Sequence, residues 1–314
     1  MPQHRLWISV FSAVAASMAM MVSPVMAQAP RPSLPVTLST MDEGFVSDRI
    51  HIEVRGQEDG PDIILIPGLA STSAVWAKLA PVLEGRYRLH LVNVRGFGDY
   101  APQGNARGHL TTEVATEIKR YIREHELDRP AIIGHSMGGQ LALRVAADEG
   151  EQISKVMVMD SSPFFPSLIT RGATRADVEP LARLVFQGVM MLGDEMLRSS
   201  AAQAGLNLGA GGDHLFNSLG WQGGDRRVLA QGLYEVLTND LRYRLPDITA
   251  PVTVVYGWSD KAENPRAQVD DAFRYGYMNL RRPARFERMN GAEHMVMIDT
   301  PKQLELAVRR FLAD

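Results

Sequence analysis

Ala131-Ile132-Ile133-Gly134-His135-Ser136-Met137-Gly138-Gly139-Gln140-Leu141-Ala142 is the stretch on which the reading of this chain turns. Its first three residues are apolar and make a short strand, and the run from Gly139 to Ala147 has the composition of a helix. Between them lies a sharp turn with Ser136 at the apex and a glycine two places before and two places after it. Such a turn holds the serine in a strained backbone conformation, and its crowded flanks admit only residues without bulky side chains. The hydroxyl then stands clear of the sheet, beside helix N-terminal amides that can receive negative charge. Five residues of this kind also arise by chance, so the surroundings must carry the argument.

Outward from the turn, strand and helix patterns alternate. Arg49–Val54 alternates polar and apolar, as a half-exposed edge strand does. Asp62–Ile66 and Leu89–Asn93 are shorter and more continuously apolar, as inner parallel strands are, and Lys155–Met159 and Val252–Tyr256 read as further strands. A helix is expected from Thr112 to about Glu126, with Val114, Ile118, Tyr121 and Ile122 on one face and Thr111 as its cap. The closing helix is expected to begin with Thr300 as cap, Pro301 in the first turn and Gln303 completing a capping box. Its buried stripe is Leu304, Ala307, Val308 and Phe311. Strands and helices in alternation predict an α/β fold, a mostly parallel central sheet flanked by helices.

Residues 163–244 interrupt this alternation. Asp177 to Arg198 and Arg226 to Leu237 read as helices, separated by the glycine-rich loops Gly209–Gly212 and Gly220–Gly224. Catalytic loops in parallel sheets gather at the carboxyl ends of the strands. Two further candidates stand there: Asp260 in Tyr256-Gly257-Trp258-Ser259-Asp260, and His294 in Gly291-Ala292-Glu293-His294 after the strand-like Arg285–Arg288.

A serine turn followed in chain order by an acid and a histidine, each just beyond a strand, resembles the α/β-hydrolase family from about Arg49 to the C-terminus. The resemblance implies a core of residues 49–162 and 245–314, with 163–244 as a helical cap inserted after the sixth strand. It implies that Ser136 is the nucleophile, His294 its base and Asp260 the acid that fixes the imidazole tautomer. Asp160, which also ends a strand, is the rival acid, since some family members take theirs from that earlier strand; Glu263 is a further competitor. With Asp260 as the acid, Asp160 is left a local turn or capping role. The oxyanion of acyl transfer would be received by the Met137 N–H and by the Leu69 N–H in Ile66-Pro67-Gly68-Leu69. Asn93-Val94-Arg95-Gly96-Phe97-Gly98-Asp99 resembles another landmark of the family, with Asn93 where an aspartate is usual, and is expected to brace the site. Trp76, Trp221 and Trp258 could line a cavity or pack in the core, and Met190, Met191 and Met196 read as gap-filling core of the cap.

The bulk properties fit. The 314 residues suffice for a large core, and a formal charge of −3 without a basic block argues against a nucleic-acid partner. Cysteine is absent, which excludes disulfides, cysteine nucleophiles and cysteine metal sites. His4-Arg5, the apolar run to Val25 and the small-residue exit at Ala27 make residues 1–27 a secretory signal peptide. A retained membrane anchor is the alternative. Residues 28–48, proline-rich at their start, are expected to be a flexible leader. The expectation is an exported, periplasmic or secreted serine hydrolase, with no stable membrane insertion after leader cleavage, that uses neither metal nor cofactor. It would cleave small or medium, largely apolar carboxylic esters or lactones through an acyl-enzyme. Carbon–carbon bond hydrolysis, amide hydrolysis and cofactor-free perhydrolysis share the same apparatus, and a ligand-binding receptor with little turnover is the alternative outside catalysis.

Overall fold

The computed structural model describes residues 42–191, 222–260 and 264–313. Among these residues eight strands form one sheet: β1 (Asp42–Val46), β2 (Ile50–Gly56), β3 (Asp62–Ile66), β4 (Arg88–Val94), β5 (Ala131–His135), β6 (Lys155–Met159), β7 (Val252–Trp258) and β8 (Arg285–Asn290). Their spatial order is β1-β2-β4-β3-β5-β6-β7-β8. The first two are antiparallel to their neighbours, and from β4 through β8 every pair is parallel. β1 corrects one expectation, because the end of the 28–48 leader is paired in the sheet at Asp42–Val46. Residues 1–41, and with them the signal-peptide reading, lie outside the described residues.

The helices are α1 (Ala80–Leu83), α2 (Thr111–Glu124), α3 (Met137–Glu149), α4 (Arg175–Met191), α5 (Arg226–Thr238), α6 (Arg266–Gly276), α7 (Val296–Asp299) and α8 (Pro301–Ala313). Side chains alternate between the two faces of a strand, and both faces of this sheet are covered. On one face Ile64, Ile66, Ile132, Val156, Val158 and Val254 pack with Val114 and Ile118 of α2 and Leu141 and Val145 of α3. On the other, Ile63, Leu65, Ile133, Met157, Met159 and Val255 pack with Leu304, Ala307, Val308 and Phe311 of α8. Each such aliphatic side chain contributes ~1.5–3 kcal/mol when fully buried. That two-sided burial explains the unbroken apolar runs, and it fixes which strand ends reach the site. Trp76 belongs to the second core and is fully buried, so it lines no cavity.

Helix starts differ from the sequence expectation. Thr111 lies inside α2 instead of capping it, and the buried Glu235 of α5 takes over the capping. Its carboxylate accepts from the Leu110 N–H (2.8 Å), the Thr111 N–H (2.7 Å) and the Thr111 hydroxyl (2.6 Å). A carboxylate at a helix N-terminus meets both unpaired amides and the positive end of the helix dipole. At α8 the expected capping box does not form: the Thr300 hydroxyl donates back to the Val296 carbonyl, and the Gln303 amide donates to the Asn290 carbonyl. Pro301 does open that helix, as its fixed φ and missing N–H favour.

Within 163–244 the described regular structure is helical, with α4 and α5 packed on each other and loops between, apart from one isolated bridge between Gly224 and Phe97. Both expected helices are present there, α4 being described as far as Met191. Met190 packs against the core, whereas Met191 is 86% exposed. Trp221, Met196 and the loop at Gly209–Gly212 lie outside the described residues. No described helix is long and apolar enough to cross a membrane.

Candidate active site

β5 delivers Ser136 to the carboxyl edge of the sheet, where its N–H donates to the Met159 carbonyl of β6 (2.9 Å) and α3 begins at once. Ser136 has φ +52°, a left-handed conformation costly for a residue with a side chain. The glycines around it are needed for space. A Cβ on Gly138 would lie 2.2 Å from the Ile66 carbonyl oxygen, and one on Gly134 would lie 2.2 Å from that of Gly138. The Ser161 hydroxyl donates to the Ser136 carbonyl (2.7 Å) and Tyr277 donates to the Ser161 carbonyl (2.8 Å), so the turn is tied to the loop after β6.

The structure joins His294 to Asp160 and leaves Asp260 aside. His294 Nδ1 lies 2.7 Å from Asp160 Oδ2, and Asp160 Oδ1 accepts from the Gly257 N–H at 3.0 Å. An ionised carboxylate can only accept, so Nδ1–H is the donor, and in the neutral imidazole the lone pair then stands on Nε2. Asp260 is exposed in the turn after β7 and forms no hydrogen bond or ion pair with His294. The expected pairing of His294 with Asp260 is therefore corrected: the carboxylate that pairs with it is Asp160. The physical reason is visible in the backbone. Asp160 turns at φ +44° directly beside Ser136, since β5 and β6 pair His135 with Met159. Gly257 lets the histidine loop come down onto that carboxylate, because a Cβ there would lie 2.2 Å from the Glu293 carbonyl oxygen. Glu263, the other competitor, lies outside the described residues.

His294 sits next to the serine turn: its ring lies 4.6 Å, centroid to centroid, from that of His135. The Ser136 hydroxyl itself has no hydrogen-bond partner among the described residues. No hydrogen bond joins it to His294 in this structure; catalytic hydrogen bonds often align only once substrate binds. Neither the Leu69 nor the Met137 N–H donates to a described residue, while the next two amides that turn inward, Gly139 and Gln140, both bond the Ser136 carbonyl. Met137 is buried and Leu69 half-exposed.

Three residues that sequence reasoning passed over complete the site. Gln222 grips the oxyanion loop, its N–H donating to the Ala70 carbonyl (2.7 Å) and its Oε1 accepting from the Thr72 N–H (2.8 Å) and hydroxyl (2.6 Å). Gly232 of α5 packs directly on that loop, where a Cβ would lie 2.4 Å from Leu69 Cδ1. His135 Nε2 lies 2.9 Å from the His294 carbonyl oxygen and so donates to it. Burial, and secondarily the neighbouring His294, hold the His135 imidazole well below its ordinary value, so it is neutral. No local sequence signal distinguishes these three, because their partners are 150 or more residues away or on a different element. Asn93 braces the same loop, accepting from the Ser73 N–H (2.7 Å) and donating to Glu53 (3.0 Å), and the Arg95 guanidinium donates to the Ser47 carbonyl. Trp258 donates its indole N–H to the Asn264 carbonyl. Among the described residues no three metal-ligating side chains cluster.

Known proteins align with this arrangement. Residues 61–301 match the family model described as alpha/beta hydrolase fold. A pimeloyl-[acyl-carrier protein] methyl ester esterase of Vibrio vulnificus strain YJ016 is 30% identical over 223 residues, spanning 68% of this chain and 81% of its own. A protein of the same name from Nitrosomonas europaea is 27% identical over 225 residues, spanning 67% and 81%. Among solved structures, a hydrolase from Pseudomonas aeruginosa PA01 superposes with a TM-score of 0.64 at 19% identity, over 88% of this chain and 98% of that one. The enol-lactonase from Burkholderia xenovorans LB400 gives 0.58 at 21%, over 84% and 96%. With the serine turn, the strand-end carboxylate and the following histidine in one edge of the sheet, this chain belongs to the α/β-hydrolase family.

Proposed function

We propose that the protein is an exported serine hydrolase that cleaves carboxylic esters through an acyl-enzyme, with Ser136, His294 and Asp160 as its relay. The observation that carries the reading is the 2.7 Å bond between His294 Nδ1 and Asp160, made beside a serine held at φ +52°. That bond leaves Nε2 free to take the serine proton. Ser136 Oγ attacks the ester carbonyl as His294 removes its proton, and the carbonyl oxygen becomes an oxyanion. The Leu69 and Met137 amides receive that charge, and each such donor contributes ~3–4 kcal/mol to lowering the barrier. The protonated His294, stabilised by Asp160, gives its proton to the departing alcohol. Water then enters by the reverse path, releases the acid and restores Ser136.

The substrate class we infer is small to medium, largely apolar esters or lactones. The methyl ester esterases among the relatives support an ester with a small alcohol group. Export places the start of the working enzyme at Gln28; a secreted product whose mass still includes residues 1–27 would count against it. The test of the chemistry is turnover of methyl and short-chain aryl esters by the chain from Gln28 and by its Ser136→Ala variant. Activity is expected in the first and a fall of at least about 10³-fold in the second. Turnover that survives the substitution would reject the serine mechanism.

A further inference from the structure

The strand residue before the nucleophile touches both walls of the site. The His135 side chain is fully buried, and its Nε2–H donates to the main-chain carbonyl of His294 at 2.9 Å. Its ring lies 4.6 Å from the His294 ring at a 51° tilt. On the opposite side it meets the oxyanion loop: a Cβ on Gly68 would stand 2.9 Å from His135 Nδ1 and 3.4 Å from Cε1. One imidazole thus separates the loop that carries the base from the loop that carries the Leu69 amide. Its Nδ1 is buried without a hydrogen-bond partner among the described residues. An unpaired buried acceptor is unfavourable, and an apolar side chain of similar size would fill this space without one. The bond made by the other nitrogen therefore accounts for an imidazole at this position better than packing does.

We propose that His135 is a positioning residue for the base, holding the His294 main chain so that the Asp160-bound imidazole presents Nε2 to Ser136. Two bonds then fix one residue: Asp160 sets the ring's tautomer and tilt, and His135 sets where its backbone stands. Because His135 is rigidly part of β5, the position of the base is referred to the same strand that positions the nucleophile. Errors of about 1 Å in such an alignment cost on the order of 100-fold in rate.

This inference rests on the serine-hydrolase reading, and the experiment separates the two. His135→Leu keeps bulk and drops the donor, whereas His135→Gln can place an amide N–H near the position of Nε2. Ester turnover, labelling of Ser136 by a fluorophosphonate and thermal melting are measured for both beside wild type and Ser136→Ala. The leucine variant is expected to lose about 30-fold in kcat with KM within about twofold, and the glutamine variant to recover most of that loss. Wild-type kcat in a folded leucine variant would overturn the positioning role alone. So would equal losses in both variants at unchanged melting temperature. Wild-type turnover independent of Ser136 would overturn the hydrolase reading and the positioning role with it. Should the leucine variant fail to fold, His135→Asn, whose shorter amide falls short of the His294 carbonyl, takes its place with the same expected loss.

Discussion

At the scale of single residues, two side chains stand in the left-handed region at the carboxyl ends of adjacent strands: Ser136 at φ +52° and Asp160 at φ +44°. Each such conformation costs ~1–3 kcal/mol and persists only where surrounding contacts fix it. For Ser136 they are the Met159 carbonyl and Ser161; for Asp160 they are the Val255 carbonyl, the Gly257 N–H and His294. The serine turn and the histidine loop are legible in the sequence, because Gly134 and Gly138 mark the one and Gly291-Ala292-Glu293-His294 the other. The carboxylate that pairs with His294 is not. Asp160 and Asp260 both follow apolar strands, and what separates them is which one the histidine loop descends upon. That is decided by Gly257, whose missing side chain lets Glu293 approach, a contact spanning 36 residues that no local pattern records. His135 was hidden for the same reason: its partner is a carbonyl 159 residues away.

At the scale of elements, α5 ties the inserted segment to the core. Its Glu235 caps α2 from outside that helix, and its Gly232 lies against Leu69 of the oxyanion loop. Just before it, Gln222 bonds Ala70 and Thr72, while the Asp225 N–H donates to the Gly96 carbonyl. The sequence placed α2 and α5 to within about two residues, since helical periodicity is a local property. It misassigned the caps at Thr111 and Thr300, because a cap depends on what competes for the side chain. Removing the Glu235 carboxylate leaves the Leu110 and Thr111 amides buried without acceptors. Glu235→Ala is therefore expected to cost about 3 kcal/mol. Differential scanning calorimetry should show this as a fall in Tm on the order of 10 °C. A variant melting with wild type would mean that α5 does not hold α2 in this way.

At the scale of the whole molecule, the sheet shelters ionisable groups that fold in their neutral or paired forms. His135 is held well below the ordinary imidazole value by burial. His90 is lowered by burial too, although its bond to Asp62 opposes the shift. Burial alone would raise Asp62, but its bonds with His90 and Arg88 outweigh this and leave it below the usual carboxylate value. For the two histidines the unfolded chain binds protons at a higher pH than the folded one. Their contribution is therefore complete above the unfolded value of about 6.5 and is lost as pH falls below it. Asp62 adds a second loss below about 4, as pH falls through its folded value. The denaturation midpoint in urea should accordingly decrease from pH 7.5 to 5.5, and a midpoint that rises over that interval would contradict the neutral burial of both histidines. Catalysis draws on the same edge of the same sheet, and the assignment on which it depends is the identity of the acid. The direct measurement is kcat for ester hydrolysis by Asp160→Asn and Asp260→Asn beside wild type. We expect a loss of about 10⁴-fold for Asp160→Asn, whose amide would impose the wrong imidazole tautomer, and a change within about twofold for the exposed Asp260. The reverse order of losses would contradict the Ser136–His294–Asp160 relay.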